Sequence, residues 1–582
     1  MNLTIGLFRH DVCWEQLLTQ IGVSWSVVGE PSTFIPGSYS AMIVNAEPDA
    51  SSIEQLRVYM RDGGALLGDF GRLRSVLGLQ TSHSRYSYIS PQRFGKFSPS
   101  SLLDIDSTGR LLTGSSHLAA SGQMTAFGPE TQGAFPDPDV IQIFSAGNGI
   151  AISLPFDCSA LFRSSEFRRK NFYAPTDRLP SEYVSTVSKG PLREIVTNVL
   201  EYLHHARRLP FVHTWYYPDG KPSVFTFRVD TDQGNQTELA ELHELCTRHG
   251  VKGTWFADVK SHESWLDFFS TFRTQEIGLH CYEHRTDEAV ADVRANFSKG
   301  VELLRRAGFD IHGASAPTGK WNMAVDTVYR ELGIAYSSEF CLSYDDLPFY
   351  PVVGPVTGHL NGPVTGQTMA EDLSPVMQLP IHPVCVGSMR RSAFTSEQMR
   401  AYFRTWIDNR LRSREPVCLY HHPTHHHWEV FDDVFSTIAQ SGIPSMTYGE
   451  YASWWKTRSA SMLRCTFENG MLRPVGVVTE SSSSQKTSDA TNAAVHATNA
   501  GTAVYAGIGT SSIADTRVQH RISFAGGEEI ILPIAGEIDT NTVRRSRTPE
   551  RVVLPSDIGR ARTFDPRHAV FNILDHWYKL RS

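Results

Sequence analysis

Residues 221–250 read KPSVFTFRVDTDQGNQTELAELHELCTRHG, and two patterns meet inside this stretch. Up to Val229 it is an apolar strand, closed by Asp230 and Asp232. From Asn235 the apolar residues Leu239, Leu242, Leu245 and Cys246 fall at helical spacing. The same succession recurs downstream. Short β-rich runs (GTWFA, EIGLH, HGASAP, AYSSEF, VMQLPIH, PVCLYHH, SMTYGE) alternate with helical ones such as TDEAVADVRANFSKGVELLRRAG and NMAVDTVYRELG. Strand followed by helix, repeated from 222 to about 456, predicts an irregular (β/α) barrel whose chemistry collects at the carboxyl ends of its strands.

Upstream, residues 1–206 place the strands LTIGLF, SWSVVGE, YSAMIVN and ALLGDF around the helices CWEQLLTQIG and SSIEQLRVYMRDGG. This predicts a Rossmann- or flavodoxin-like α/β domain. Residues 71–150 read as irregular, after which GIAISLPFD and PLREIVTNVLEYLHHA close the domain as strand and helix. Downstream, 460–582 reads as a small β-rich accessory domain. SSSSQKTSDATNAAVHATNAGT is a loop, VQHRISFAGGEEIILPIAG a hairpin, and HAVFNILDHWYKL an amphipathic helix. The fold class is α/β, with a small β-rich domain at the C-terminal end.

A chain of 582 residues is too long for one core, and 41% hydrophobic with 20% charged residues is an ordinary globular balance. Lys plus Arg (54) against Asp plus Glu (61) leaves a net charge of -7, with no global attraction for nucleic acid or anionic membrane. No stretch approaches the ~18 apolar residues of a membrane span. The start, MNLTIGLFRHDVCWEQ, lacks an export leader's basic end and apolar core. Eight cysteines are dispersed without CxxC pairs, which argues against a disulfide framework or a thiolate zinc site. The expectation is a soluble cytoplasmic protein. Nothing in one chain's sequence sets its oligomeric state.

The candidate chemistry starts from LHCYEH, residues 279–284. In a continued strand His280 and His284 would stand ~13 Å apart on one side, too far to share an ion. If the chain turns helical after Leu279, both imidazoles reach one ion. Alternatively they are two exposed polar residues on a loop. Asp230 and Asp232 project from one face of their strand and repel unless a cation lies between them; alternatively they cap the following helix through an Asx turn. Taken together, Asp232, His280 and His284 form an Asp-His-His metal set, with Asp230 left as a base. Trp255, Phe256 and Trp321 are candidate walls for a sugar ring, although core packing is as good a reading for Trp255 and Phe256.

These residues resemble the polysaccharide deacetylase superfamily (NodB homology, carbohydrate esterase family 4) over roughly 222–455. Asp230-Thr231-Asp232 matches its first motif in a spaced form, and His280 to His284 matches its H-x-x-x-H motif. In SAPTGKWN the third motif keeps Pro317 but has Ser315 at the arginine position. In VCLYHHP, His422 precedes Pro423 as in the last motif. The resemblance implies one divalent metal, Zn2+ first and Co2+, Ni2+ or Fe2+ as alternatives, on Asp232, His280 and His284. It implies Asp230 as catalytic base and His422 as catalytic acid, with His382 in LPIHP as the other candidate acid. Lys320 is the candidate substitute for the absent arginine, and Pro317, Lys320 and Trp321 form the candidate substrate loop. Of His421, His422, His425, His426 and His427, only one or two can face the site, because neighbouring side chains alternate in direction.

The implied activity is N-deacetylation of an amino-sugar-containing saccharide or polysaccharide. Two alternatives stand beside it: hydrolysis of another C–N bond, as in allantoinase-like relatives, and a degenerate, non-catalytic carbohydrate-binding protein. The first domain resembles the class I glutamine-amidotransferase-like fold through its topology and MRDGGALL. Its Cys13 reads as a buried small hydrophobe, so the domain is expected to be non-catalytic.

Overall fold

The computed structural model describes residues 1–28, 34–78, 141–172, 180–353, 372–475 and 517–547, and only the backbone of strands between 80 and 137. Phe225–Asp230 is a strand buried along its whole length, as expected where both faces of a parallel sheet are covered. Gly234 N–H closes on Thr231 O at 2.7 Å. Asn235 then caps the Gln236–Arg248 helix in a reciprocal box with Glu238. The helix is therefore capped by Asn235, not by the aspartate pair.

Seven parallel strands follow in the order Met377–Gln378, Tyr336–Ser337, Gly313–Ala314, Glu276–Cys281, Gly253–Asp258, Phe225–Asp230 and Val417–His421. An eighth, Ser445–Met446, pairs with Phe225 and Thr226. The sheet curls into a half-barrel. Its register sets Val229 opposite His421, Ala257 opposite Leu279, and Leu279 opposite Ala314. Asp232, His280, Ser315 and His422 consequently emerge at one rim. Helices Gln236–Arg248, Val290–Arg306, Ser396–Ser413 and Trp428–Ser441 cover the sheet through a core that includes Phe227, Trp255, Leu279, Phe297, Phe403 and Phe431. Each such buried side chain contributes about 1.5–3 kcal/mol.

The first half of the chain carries a six-stranded sheet in the order Gln142–Ala146, Gly149–Leu154, Ala65–Asp69, Ala41–Val44, Ile5–Leu7 and Trp25–Val27. All pairs are parallel except Gln142–Ala146 against Gly149–Leu154. Helices Val12–Ile21 and Lys189–Ala206 pack in one apolar cluster with Leu67 and Ile152, and Ala50–Arg61 packs in another with Met42 and Leu66. Residues 71–150, read as irregular, hold instead the rest of the Phe70–Leu77 helix and a run of antiparallel strands. Cys13 is fully buried on its helix, as read.

The C-terminal strands join the rest of the molecule. His520–Phe524 pairs with Phe211–Thr214 and with Glu528–Leu532, the expected hairpin. Leu3 N–H donates to Cys465 O, and Phe467 N–H to Met1 O. The loop 481–502 and the stretch HAVFNILDHWYKL, read as a helix, lie outside the described residues. All eight cysteines are buried, and none is in a disulfide. Among the described residues no helix is long and apolar enough to cross a membrane.

Candidate active site

Asp230 ends its strand fully enclosed, and the residue that holds it stands two positions back. Arg228 and Asp230 share one face of the strand, so the guanidinium lies alongside the carboxylate. Arg228 Nε donates to Asp230 Oδ1 at 2.7 Å and Nη2 to Oδ2 at 2.6 Å, while Nη1 donates to Ser338 O. Burial would raise the Asp230 carboxyl, but the Arg228 charge together with His280, the Arg228 hydrogen bonds and His422 outweighs it and holds the group below the usual carboxylate range. Lys320, the sequence candidate for this duty, is exposed, and the geometry gives the role to Arg228.

Asp232 follows in the turn, where Thr231 anchors the backbone. Asp258 N–H and a ring nitrogen of His262 both lie 2.9 Å from Thr231 Oγ1. Asp232 Oδ1 is 3.1 Å from His280 Nε2, and Oδ2 is 3.1 Å from His284 Nε2. His280 is 1% exposed, and its Nδ1 lies 2.7 Å from Ser315 O. A carbonyl oxygen can only accept, so in the neutral ring Nδ1 carries the hydrogen and Nε2 presents its lone pair to Asp232. Both Asp232 Oδ1 and His280 Nε2 are buried, and neither has a hydrogen-bond partner. Two electron-rich atoms facing each other without a proton between them suit a shared cation. The three residues' donor atoms lie within 4.8 Å of one another. This donor set, two imidazoles and a carboxylate, fits Zn2+ and its neighbours in the first transition row.

The chain does not turn helical at Leu279. The strand continues to Cys281 and then bends, which brings the His284 ring to 5.2 Å from that of His280. Asn296, on the Val290–Arg306 helix, fastens the bend. Its Oδ1 accepts from Tyr282 N–H and Glu283 N–H, and its Nδ2 donates to Glu283 O and Arg285 O. Gly300, one turn on, allows the helix this close, since a Cβ there would stand 2.6 Å from Leu279 Cδ1 and 3.2 Å from Tyr282 N.

His422 completes the rim. Its Nε2 is 3.4 Å from Asp232 Oδ2 and 3.9 Å from Asp230 Oδ2. Burial opposes its charge, but Asp232 first and then Cys385 push it up to about 9. Burial likewise works against the Asp232 anion, yet His280 and then His422, when protonated, hold that carboxyl well below its ordinary value. His284 is raised by its bond to Asp232 against the opposing effect of burial.

Of the histidine run, His422 faces the aspartates and His425 approaches His422 and Cys385. His421 is buried against Phe431, while His426 reaches Glu238 and His427 reaches Glu429. His382, the other candidate acid, is engaged at both ring nitrogens, with Nδ1 2.9 Å from Asp345 and Nε2 2.9 Å from Tyr402 Oη. Trp321 packs in the apolar cluster with Leu17 and Leu200 of the first sheet's helices, and Pro317 is buried with its carbonyl accepting from Thr286. Trp255 and Phe256 are both fully buried in packing.

Arg228, Asn296 and Cys385 escaped the sequence reading. Arg228 alone had a signal, its i, i+2 spacing from Asp230.

No protein-family model matches the chain, and no curated protein matches it. Solved structures similar to it include a putative polysaccharide deacetylase from Mycobacterium smegmatis, at 16% identity and TM-score 0.34, covering 42% of this chain and 94% of that one. A probable polysaccharide deacetylase from Pseudomonas aeruginosa PAO1 has 14% identity and TM-score 0.33, covering 40% and 91%. Puue allantoinase has 13% identity and TM-score 0.32, covering 41% and 92%.

Proposed function

We propose that this chain is a metal-dependent hydrolase that removes N-acetyl groups from an amino-sugar-containing saccharide or glycan. One observation carries the metal: Asp232 Oδ1 and His280 Nε2 face each other at 3.1 Å, buried and without hydrogen bonds, with His284 on the second carboxylate oxygen. Asp232, His280 and His284 would hold a divalent ion, which would supply Lewis acidity toward the amide carbonyl and the attacking water. Asp230, fixed by the Arg228 fork, accepts the proton of that water. His422, across the rim, gives a proton to the departing sugar amine, so that acetate and a free amine leave. Ser315 O fixes the His280 tautomer that presents Nε2 to the ion.

The test pairs metal content with acetate release on N-acetylated oligosaccharides, for wild type, His280→Ala and Asp232→Ala. The reading expects about one metal per chain that Asp232→Ala and His280→Ala lose, together with acetate release. A wild type that takes up no metal at Asp232 after supplementation, or that releases no acetate when loaded, overturns it.

A further inference from the structure

Beside the aspartates, and sharing His422 with them, lies a group of donors of which the reaction above uses only His422. Cys385 precedes the short Val386–Arg391 helix and is 2% exposed. Its Sγ and one ring nitrogen each of His422 and His425 lie within 4.8 Å of one another. His422 turns Nε2 to Asp232, and its Nδ1 is buried without a hydrogen-bond partner, as is His425 Nδ1. The Cys385 thiol beside them carries a single proton and can satisfy at most one of these two imidazole nitrogens, so the arrangement is costly unless something binds among the three.

The surroundings hold the three residues in place. His425 N–H bonds to His422 O at 2.9 Å, which ties the second ring to the first. Gly387 leaves room for that ring, because a Cβ there would stand 2.3 Å from His425 Cε1 and 2.8 Å from Nδ1. Cys385 N–H donates to Ser388 Oγ at 3.0 Å, and Ser388 Oγ donates to Cys385 O at 2.8 Å, which fixes the backbone that carries the thiol.

We propose that Cys385, His422 and His425 form a second cation site, with one thiolate and two imidazole donors. That set selects a borderline or soft divalent ion such as Zn2+, Co2+ or Cd2+ and rejects Mg2+ and Ca2+, which demand oxygen ligands. Binding replaces the thiol proton of Cys385, which leaves to solvent. The ion engages His422 at Nδ1 while Nε2 stays turned to Asp232, so the two centres lie on opposite edges of one ring.

The experiment is a Co2+ titration of the full-length, metal-stripped chain, followed by absorption and elemental analysis. Wild type is expected to bind two equivalents, one of which brings a thiolate-to-cobalt charge-transfer band in the near ultraviolet. Asp232→Ala keeps that band and loses the other equivalent. Cys385→Ala abolishes the band, and His425→Gln weakens the Co2+ affinity of that equivalent at least tenfold. His425 is only half-buried, so its variant decides the matter should Cys385→Ala fail to fold. A folded wild type that binds Co2+ without a thiolate band overturns the second site and leaves the hydrolase reading standing. A band indifferent to both Cys385→Ala and His425→Gln overturns it as well. Loss of acetate release with the band intact would remove the hydrolase reading alone.

Discussion

Arg228 holds Asp230 with both arms of a planar fork, and the pair is enclosed on all sides. Lysine carries the same charge on one point and cannot match both carboxylate oxygens. Arg228→Lys should therefore lower kcat by roughly tenfold and move the acid limb of the pH–rate profile upward, with metal content unchanged. An unaltered profile would show that the fork has no part in setting Asp230. Arg228→Met leaves a buried carboxylate without its partner, a change that typically costs about 3–5 kcal/mol and is read from denaturant unfolding. Asp230→Asn should cut acetate release on the order of 10²-fold or more while the metal stays bound, since Asp230 is outside the three-residue donor set. Metal lost along with activity would instead make Asp230 a ligand. The FRVD spacing was legible in the sequence. What it did not disclose was that the charge partner comes from the same strand rather than from the loop holding Ser315 and Lys320.

At the scale of elements, the decisive feature is a strand that stops at Cys281 and a helix that catches the bend after it. Four hydrogen bonds to Asn296 hold residues 282–285, and these place His284 beside His280. Asn296→Ala should leave the fold intact and weaken metal binding by roughly 10- to 100-fold, as measured by calorimetric titration, because a ligand loses the support that aims it. Affinity equal to wild type would mean that the bend is held by the strand alone. The i, i+4 histidine spacing suggested a helical turn after Leu279, where the chain instead continues as strand to Cys281 and bends. A bend can produce the same proximity, and its stabilising contact comes from a helix whose packing no local pattern encodes.

Across the whole molecule, buried polar groups tie the segments together. Arg458 is fully buried and donates to Thr19 O, Ile21 O, Thr214 O and Trp215 O, which joins the first sheet's helix, the Phe211–Thr214 strand and the helix after the half-barrel. His204 and His520 are enclosed, and burial lowers each to about 4. In the unfolded chain a histidine binds its proton near 6.5, so between about 6.5 and 4 the unfolded state holds more protons than the folded one. Stability is therefore fully present above about pH 6.5 and falls as the pH drops toward 4, by on the order of 1 kcal/mol per pH unit for each group. Urea unfolding at successive pH values should show this slope, and His204→Gln should reduce it. A slope unchanged in that variant would show that the histidine is protonated in the folded chain.

All eight strands of the half-barrel fall on the short β-rich runs read in the sequence, and the helices Gln236–Arg248, Val290–Arg306 and Met323–Leu332 within the helical stretches read there, because burial of one or both faces imposes a local composition. Asp230, Asp232, His280, His284 and His422 were legible as candidates for a related reason: each lies at or just past a strand end, and parallel strands deliver their ends to one rim. Tertiary structure alone decided the rest. It placed Trp321 in the apolar cluster that also holds the first sheet's helices, engaged His382 with Asp345 and Tyr402, chose Arg228 over Lys320, and brought Cys385 to His422. Those outcomes depend on which side chains meet across tens or hundreds of residues, and spacing along the chain carries no record of such meetings.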